Sequence, residues 1–309
     1  MSFALPKILP PYDDQIFKSI LTRPEAELAR VDLLSALLDR TVRSAAVVNV
    51  EPPKRDINAK NERFDVSCLF DDGDQAAVEM QADPMEGDNS ANEHQNIRDR
   101  SLYGLADLHA NQTGKGKDYS DIRKSYQITI CNYRVFRYEH KLVETFKMRN
   151  AGGMVLSEAI ASVFVDLTLV SGILKKSVDD MNPAEMWAVF LARADAPQCA
   201  DIIDQIIVRK EGINVANTML TTISQDVRER ALFHSRKMAA QDAEHDKRVA
   251  EKRLLKLQDD LANAEKNTAI TIANIAKQLL SLGVLTHEQI ATATGLTLAE
   301  IERIHNSPL

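Results

Sequence analysis

The sequence predicts an α/β domain followed by an extension that is helical throughout. Two runs in which apolar and polar residues alternate, at 64–70 and 76–81, surround a turn containing Asp-Gly, and this pattern predicts a β-hairpin. Apolar residues at helical spacing precede the hairpin, and the pattern is helical again from about residue 182 onwards. The length of 309 residues is that of about two domains.

The composition excludes several classes of protein. Hydrophobic residues make up 44% and charged residues 27% of the chain, as in ordinary globular proteins. The net charge of -7 excludes a uniformly basic nucleic-acid binder. No apolar run approaches the length of a membrane span, and residues 1–14 lack the apolar core of a signal peptide. The three cysteines are far apart and indicate neither a disulfide framework nor a zinc site, so we expect a reduced, cytoplasmic protein without a membrane partner.

Two helices and a short strand are predicted before the hairpin. Asp14 is a candidate cap for a first helix that runs to Leu21, and a second helix follows Pro24 as far as Leu38. The apolar residues of both helices recur every three or four positions, so each helix has one face for packing. Residues 47–50 form a candidate strand that two prolines end.

A helix and two strands are predicted after the hairpin. Residues 93–112 have helical spacing and end before two glycines, whereas residues 126–131 and 162–170 are strand-like. Helices interleaved with strands in this way are typical of a sheet that helices cover.

Residues 226–267 are dense in charge and carry one apolar stripe. The stripe consists of Ala250, Leu254, Leu257, Leu261 and Ala264. This pattern predicts a solvated helix with a single packing face. The alternative is a dimerising coiled coil, which would make the C-terminal helices the interface of a homo-oligomer.

Two capping boxes, Thr286 to Gln289 and Thr297 to Glu300, predict short helices near the end of the chain. Their rhythm is similar to that of a helix-turn-helix, but the sparse positive charge favours a role in packing or oligomerisation. The expected domains are an α/β domain at 1–175, a helical extension at 176–225, a charged helix at 226–267 and a small helical segment at 268–309.

The turn determines which hairpin residues face each other. If Asp72 is the centre of a three-residue loop, residues whose numbers sum to 144 are opposite, so Asp65 faces Glu79. Gln81 lies on the same face as Glu79, because strand side chains repeat every two residues. The reverse face is entirely apolar, with Phe64, Val66, Cys68, Ala76, Val78 and Met80. The hairpin is therefore predicted to have a core face and a polar face.

Two carboxylates held side by side on the polar face repel each other. Either one is protonated or a cation lies between them, and Mg²⁺ is a hard ion that prefers carboxylate ligands. The alternative is a solvent-exposed strand face on which Asp65 and Glu79 are unrelated. Geometry alone leaves both interpretations open.

Several stretches of the chain match a known pattern in the same order. They are the opening helix at 14–18, the strands at 63–66 and 78–81, the helix and loop at 100–103 and 116–119, and the strand at 128–130 with the segment at 146–149. Together they resemble the PD-(D/E)XK nuclease core, and more specifically the Rpn family of recombination-promoting nucleases. The resemblance covers about residues 5–170. It implies a restriction-endonuclease-like α/β fold, with a mixed central sheet flanked by helices, ahead of the all-helical extension.

The resemblance also implies a metal site. In it, Asp65 and Glu79 bind a divalent ion, with the Met80 carbonyl as a further ligand. The ion is expected to be Mg²⁺, with Mn²⁺ or Ca²⁺ in its place as alternatives. Gln81 stands at the third catalytic position, where most of the wider superfamily has Lys, and it can hydrogen-bond a water but supplies no positive charge. Asp14 is an additional candidate ligand, and a helix cap is the alternative role for it.

A basic segment directly follows the acidic one. Residues 1–94 carry 10 Lys and Arg against 18 Asp and Glu, whereas residues 95–150 carry 11 against 6. The candidate contacts to DNA phosphates are Arg98, Arg100, Tyr103, Lys115 and Lys117. Lys and Arg supply most non-specific affinity for DNA. The alternative is a solvated helix face with ordinary salt bridges.

We therefore expect a Mg²⁺-dependent DNA endonuclease that hydrolyses phosphodiester bonds with little sequence preference. The family name adds recombination as a setting. The alternative is a non-catalytic DNA-binding or protein-interaction module on a degenerate nuclease fold, for which Gln81 and the acidic helical tail are the arguments.

Overall fold

The computed structural model describes residues 7–48, 66–83, 94–112 and 118–306. The first helix, α1, spans Asp14–Leu21, and its cap is Asp13 rather than Asp14. The Asp13 side chain accepts a hydrogen bond from the Ile16 amide at 3.2 Å, whereas Asp14 is already in the first helical turn. A short 3₁₀ turn at Pro24–Ala26 then leads into α2 at Glu27–Leu38, as predicted.

A six-stranded mixed sheet forms the centre of the domain. Its strands are β1 at Ala45–Val47, β2 at Val66–Phe70, β3 at Gln75–Gln81, β4 at Ser125–Cys131, β5 at Val143–Arg149 and β6 at Val155–Asp166. Their order across the sheet is β1-β2-β3-β4-β6-β5. The pairs β3–β4 and β4–β6 are parallel and the other pairs are antiparallel, so the predicted mixed sheet flanked by helices is confirmed.

Two features of this sheet differ from the sequence prediction. Strand β5 was not predicted from the sequence. It is an edge strand on which most residues are exposed, so it lacks the alternation that marks a half-buried strand. The last strand ends at Asp166 rather than at residue 170, because the Asp166 carboxylate accepts a hydrogen bond from the Thr168 amide at 2.8 Å and caps a 3₁₀ turn.

The predicted hairpin register is confirmed over the described residues. Val66 pairs with Val78 and Ser67 with Ala77, which are positions that sum to 144. The Phe70 amide donates to the carbonyl of Asp74 at 2.8 Å and closes a three-residue loop. Gly73 has a φ of 83°, a left-handed conformation that such loops require and that glycine adopts at little cost.

Helices cover both faces of the sheet. Helices α1 and α2 pack on the apolar face, where Phe17 and Leu34 belong to the same core as Val78, Met80 and strand β4. The other face is covered by α3 at Gln95–Ala110, whose Ile97 packs against Cys131 of β4. The predicted helix at 93–112 is thus confirmed, and it lies over the polar side of the hairpin.

The helical part of the chain contains seven further helices among the described residues. They are α4 at Val170–Ile173, α5 at Pro183–Arg193, α6 at Ala200–Arg209, α7 at Glu211–Gln225, α8 at Val227–Leu282, α9 at His287–Thr294 and α10 at Leu298–Asn306. The chain divides into two compact units, Met1–Phe233 and His234–Leu309. Helices α4 to α7 belong to the first unit because their apolar residues, including Trp187 and Leu220, join the sheet's core.

The two compact units divide after Phe233, whereas the expected domain boundaries at 175, 225 and 267 stay predictions. Helix α8 continues through residue 267 as far as Leu282, and the next residue, Gly283, has a φ of 63°. In the second unit, Ala276, Ile290 and Ile301 form a small core, and both predicted capping boxes are present. Within the described residues no helix combines the length and apolarity that a membrane crossing needs.

Candidate active site

Glu79 is the central polar residue of strand β3. Its side chain is only 2% exposed and lies on the face that α3 covers. The neighbouring residues on the reverse face, Val78 and Met80, are buried in the apolar core, as the alternation predicted. A charged carboxylate is rarely buried without a compensating cation, so the position of Glu79 calls for positive charge nearby.

Asp65 lies outside the described residues. The last pair of the hairpin that the structure describes is Val66 with Val78. The next pair in the same register would be Asp65 with Glu79. The pairing of Asp65 with Glu79 therefore stays a prediction, one that the register of the neighbouring residues supports.

Gln81 and Met80 follow Glu79 at the end of β3. Gln81 is partly exposed and pairs with Cys131 of the parallel strand β4, so it shares the polar face with Glu79. Its own carbonyl accepts a hydrogen bond from the Asn132 amide at 2.9 Å. The Met80 side chain is buried in the core. The Met80 carbonyl as a metal ligand remains a prediction.

Helix α3 brings Arg100 to the carboxylate of Glu79. Nη2 of Arg100 lies 3.5 Å from Oε1 of Glu79, and the arginine side chain is 32% exposed. Arg98 places its guanidinium over the ring of Phe136, at 5.9 Å from the ring centroid, and Tyr103 is exposed. Arg100, one of the predicted phosphate contacts, thus lies next to Glu79, the predicted metal ligand.

Lys115 and Lys117, the other two predicted phosphate contacts, lie outside the described residues.

A buried hydroxyl network fixes α3 on the sheet, and the sequence analysis did not identify it. Ser101 of α3 hydrogen-bonds Ser162 of β6 at 2.8 Å, and Thr129 of β4 donates to Ser101 at 3.3 Å. These residues are 61 and 28 positions apart in the chain, and isolated Ser and Thr residues give no spacing signal. The network holds the helix turn that also carries Arg100.

The hairpin turn is anchored by Arg40, the second residue after the end of α2. Arg40 donates to the carboxylates of Asp72 and Asp74, and its guanidinium stacks over Phe70 and Tyr126. Burial alone would raise the pKa of Asp72, but hydrogen bonds from the Asp74 amide and from Arg40 outweigh it and lower that pKa. This contact fixes the loop that sets the register of Glu79.

The described donors suit a hard divalent ion. Glu79 supplies a buried carboxylate, and Oδ1 of Asp14 is buried without a hydrogen-bond donor among the described residues. Helix α1 packs on the face of β3 opposite to Glu79, so the packing of α1 does not by itself bring Asp14 to Glu79. Carboxylate oxygens are the ligands that Mg²⁺ and Ca²⁺ prefer. In the described ranges, no three His, Cys, Asp or Glu residues are grouped closely enough to hold a metal ion. A complete site therefore needs Asp65 or the backbone carbonyl in addition.

A PD-(D/E)XK fold is thus defined by the mixed sheet, the covering helices and the acidic β3 strand. The model of the PD-(D/E)XK nuclease family transposases matches residues 11–250 of the chain, and the chain belongs to this family. Neither the curated proteins nor the solved structures include a match to the chain.

Proposed function

We propose that the chain is a Mg²⁺-dependent DNA endonuclease that acts in the cytoplasm with little sequence preference, in the setting of recombination. The observation that carries the proposal is the burial of Glu79 on the polar face of β3, one register step beyond the Val66–Val78 pair and thus at the position expected to face Asp65. Membership of a nuclease family supports phosphodiester hydrolysis as the reaction class.

In this proposal, Asp65, Glu79 and the Met80 carbonyl hold the metal ion, and Asp14 is a candidate additional ligand. The ion would polarise a phosphate oxygen and lower the pKa of a bound water. Gln81, on the same strand face, orients the water through its amide. Arg100, which is partly exposed beside the buried Glu79, binds a phosphate together with Arg98, Tyr103, Lys115 and Lys117.

The glutamine at position 81 leaves less positive charge to stabilise the transition state of hydrolysis. A lysine at this position would stabilise the developing negative charge, and an amide does so less well. Arg100 lies within 3.5 Å of Glu79 and is the described cation best placed to supply part of that charge. We therefore expect a slower enzyme than one with lysine at position 81.

The second candidate function is a DNA-binding module without catalysis. The observation that favours it is the same contact, because Arg100 can neutralise Glu79 without any metal ion. In that case the basic residues bind the phosphate backbone and the carboxylate has only a structural role.

The two functions are separated by a plasmid-nicking assay on the wild type, Asp65→Ala and Glu79→Ala, with Mg²⁺, Mn²⁺ or Ca²⁺. Glu25→Ala is the matched control, because Glu25 is an exposed acid in the 3₁₀ turn before α2. We expect the wild type and Glu25→Ala to cut, and the other two variants to lose at least about 100-fold in rate. Circular dichroism shows whether each variant is folded.

Equal cutting by all four proteins would exclude Asp65 and Glu79 as catalytic residues. DNA binding by a wild type that cuts with none of the three metals would favour the non-catalytic module. Isothermal titration with Mn²⁺ adds an independent readout, since Glu79→Ala should abolish metal binding if the carboxylate is a ligand.

A further inference from the structure

Helix α8 carries an apolar seam that is longer than the stripe seen in the sequence. The seam runs from residue 240 to residue 264, and its members follow one another at alternating steps of three and four residues. Lys247 is the one charged residue among them. The apolar members are Ala240, Ala243, Ala250, Leu254, Leu257, Leu261 and Ala264. The three leucines are 58%, 65% and 61% exposed.

Such a seam has the spacing of a coiled coil. Alternating steps of three and four keep the side chains on one side of a helix over several turns. A helix in water gains most of its stability from packing its apolar face, and exposed leucines in a row forgo that gain. We propose that this seam pairs with the same seam of a second copy of the chain, in an antiparallel coiled coil.

The flanking charges disfavour a parallel pairing in register. Seam positions 240, 247, 254 and 261 begin the successive seven-residue repeats. In a parallel coiled coil, the residue directly before each of these positions faces the residue of the second helix whose number is higher by five. Asp246 would then face Glu251 of the second copy, and Asp260 would face Glu265. Both contacts join like charges, and each would occur twice by symmetry.

An antiparallel pairing with one register brings opposite charges together on the edge that carries Arg253 and Asp260, whereas on the other edge Glu244 faces Glu265. Leu254 then packs against Leu257 of the second copy, and Leu261 against Ala250, so seam partners have numbers that sum to 511. In this register Arg253 lies beside Asp260 of the second copy. The twofold axis repeats this pair, so the dimer contains it twice.

Neighbouring registers lack this complementarity. A shift of one heptad in one direction brings Arg253 beside Arg253 of the second copy, and a shift in the other direction brings Asp260 beside Asp260. The charges of Arg253 and Asp260 thus favour this orientation and register over the neighbouring ones, while the leucines drive association.

The test is the dimer dissociation constant of the full-length chain, measured by sedimentation velocity. We expect the wild type to form a concentration-dependent species of twice 34.5 kDa. Asp260→Arg should raise the dissociation constant about tenfold, because two attractive pairs become repulsive. Arg253→Asp should do the same. The double variant Arg253→Asp/Asp260→Arg should restore the wild-type constant, since it only exchanges the two charges.

Asp259→Arg is the matched control, because it makes the same charge change on the outer side of the helix and should leave association unchanged. Tighter association of Asp260→Arg would indicate parallel pairing, since the change relieves repulsion from Glu265, and would overturn the proposal. A wild type that stays monomeric at about 100 µM would also overturn it. So would a dimer that Leu257→Asp leaves intact, provided that circular dichroism shows unchanged helicity.

Discussion

Nη2 of Arg100 lies 3.5 Å from Oε1 of Glu79, and this contact joins the exposed surface of α3 to a carboxylate that is 2% exposed. The guanidinium compensates the charge of a group that burial would otherwise disfavour. Because a third of the arginine remains exposed, the same group is also accessible to a phosphate oxygen. The proposed function therefore gives one side chain two roles, charge compensation in the free protein and phosphate binding.

The contact predicts an energetic coupling between the two residues. In a double-mutant cycle of Arg100→Ala and Glu79→Gln in a chelating buffer, the free energies of unfolding should differ from additivity by about 0.5–1 kcal/mol. The value is modest because the arginine is partly solvated. Arg209→Ala, which removes a cation of helix α6 that pairs with Asp179, should be additive with Glu79→Gln. Full additivity of the Arg100 cycle would show that the contact contributes nothing to stability.

Arg40 should be important for the stability of the hairpin. Arg40→Ala removes the cation that pairs with Asp74, a residue only 7% exposed, and removes the stacking on Phe70 and Tyr126. We expect a loss of about 2 kcal/mol in the free energy of unfolding by urea. The control is Arg43→Ala at an exposed position, for which a change within about 0.5 kcal/mol is expected. Similar losses in both variants would refute a specific role for Arg40.

Gly212 allows close packing between α7 and α2. A Cβ atom added there would lie 2.3 Å from Cβ of Asp32. Asp32 cannot easily move away, because it accepts hydrogen bonds from Trp187 at 3.0 Å and from Lys210 at 2.6 Å. Gly212→Ala should therefore cost about 2 kcal/mol in unfolding free energy, although alanine is the better helix former.

The control for this prediction is Gly172→Ala. Gly172 lies in α4 with open space around the position of an added Cβ atom. The substitution should be neutral or stabilising by up to about 1 kcal/mol, as helix propensity predicts. Thermal or urea unfolding measures both variants, and equal effects would contradict the packing argument.

His109 should make stability depend on pH. Burial lowers its pKa below the ordinary value of 6.5, while Nδ1 lies 3.1 Å from the Ser125 hydroxyl. The folded chain keeps the imidazole neutral at a pH where the unfolded chain protonates it. The contribution of His109 is thus fully present above pH 6.5 and is lost as the pH falls through the window between 6.5 and the lowered pKa.

Urea unfolding at several pH values between about 5 and 7.5 measures this effect. His109→Gln should flatten the decline in stability on acidification, because the titrating group is gone. His245→Gln, at an exposed position of α8, should leave the decline as in the wild type. A slope that His109→Gln does not change would assign the acid sensitivity to other groups.

Local patterns were sufficient to predict the hairpin and its register. A turn with Asp72 and Gly73 admits few geometries, and the alternation on both sides leaves one assignment of faces. The cap of α1 shows where local pattern is insufficient. Asp13 and Asp14 are both good caps, and only the backbone angles decide which of the two precedes the helix.

Contacts between distant segments were not predictable from spacing. Arg40 reaches Asp74 across 34 positions, and Ser101 reaches Ser162 across 61. Each depends on a fold that brings separate elements together, and a single arginine or serine looks like a surface residue in the sequence. These contacts determine where the turn and α3 lie, so they position Glu79 and Arg100 without being part of the predicted motif.

Strand β3 has a hydrogen-bonded neighbour on each side and is buried from Ala76 to Met80. A central, doubly covered strand is among the last segments to exchange its amide hydrogens, because it opens only when the whole domain does. The environment of the Glu79 carboxylate therefore lasts as long as the cooperative fold itself.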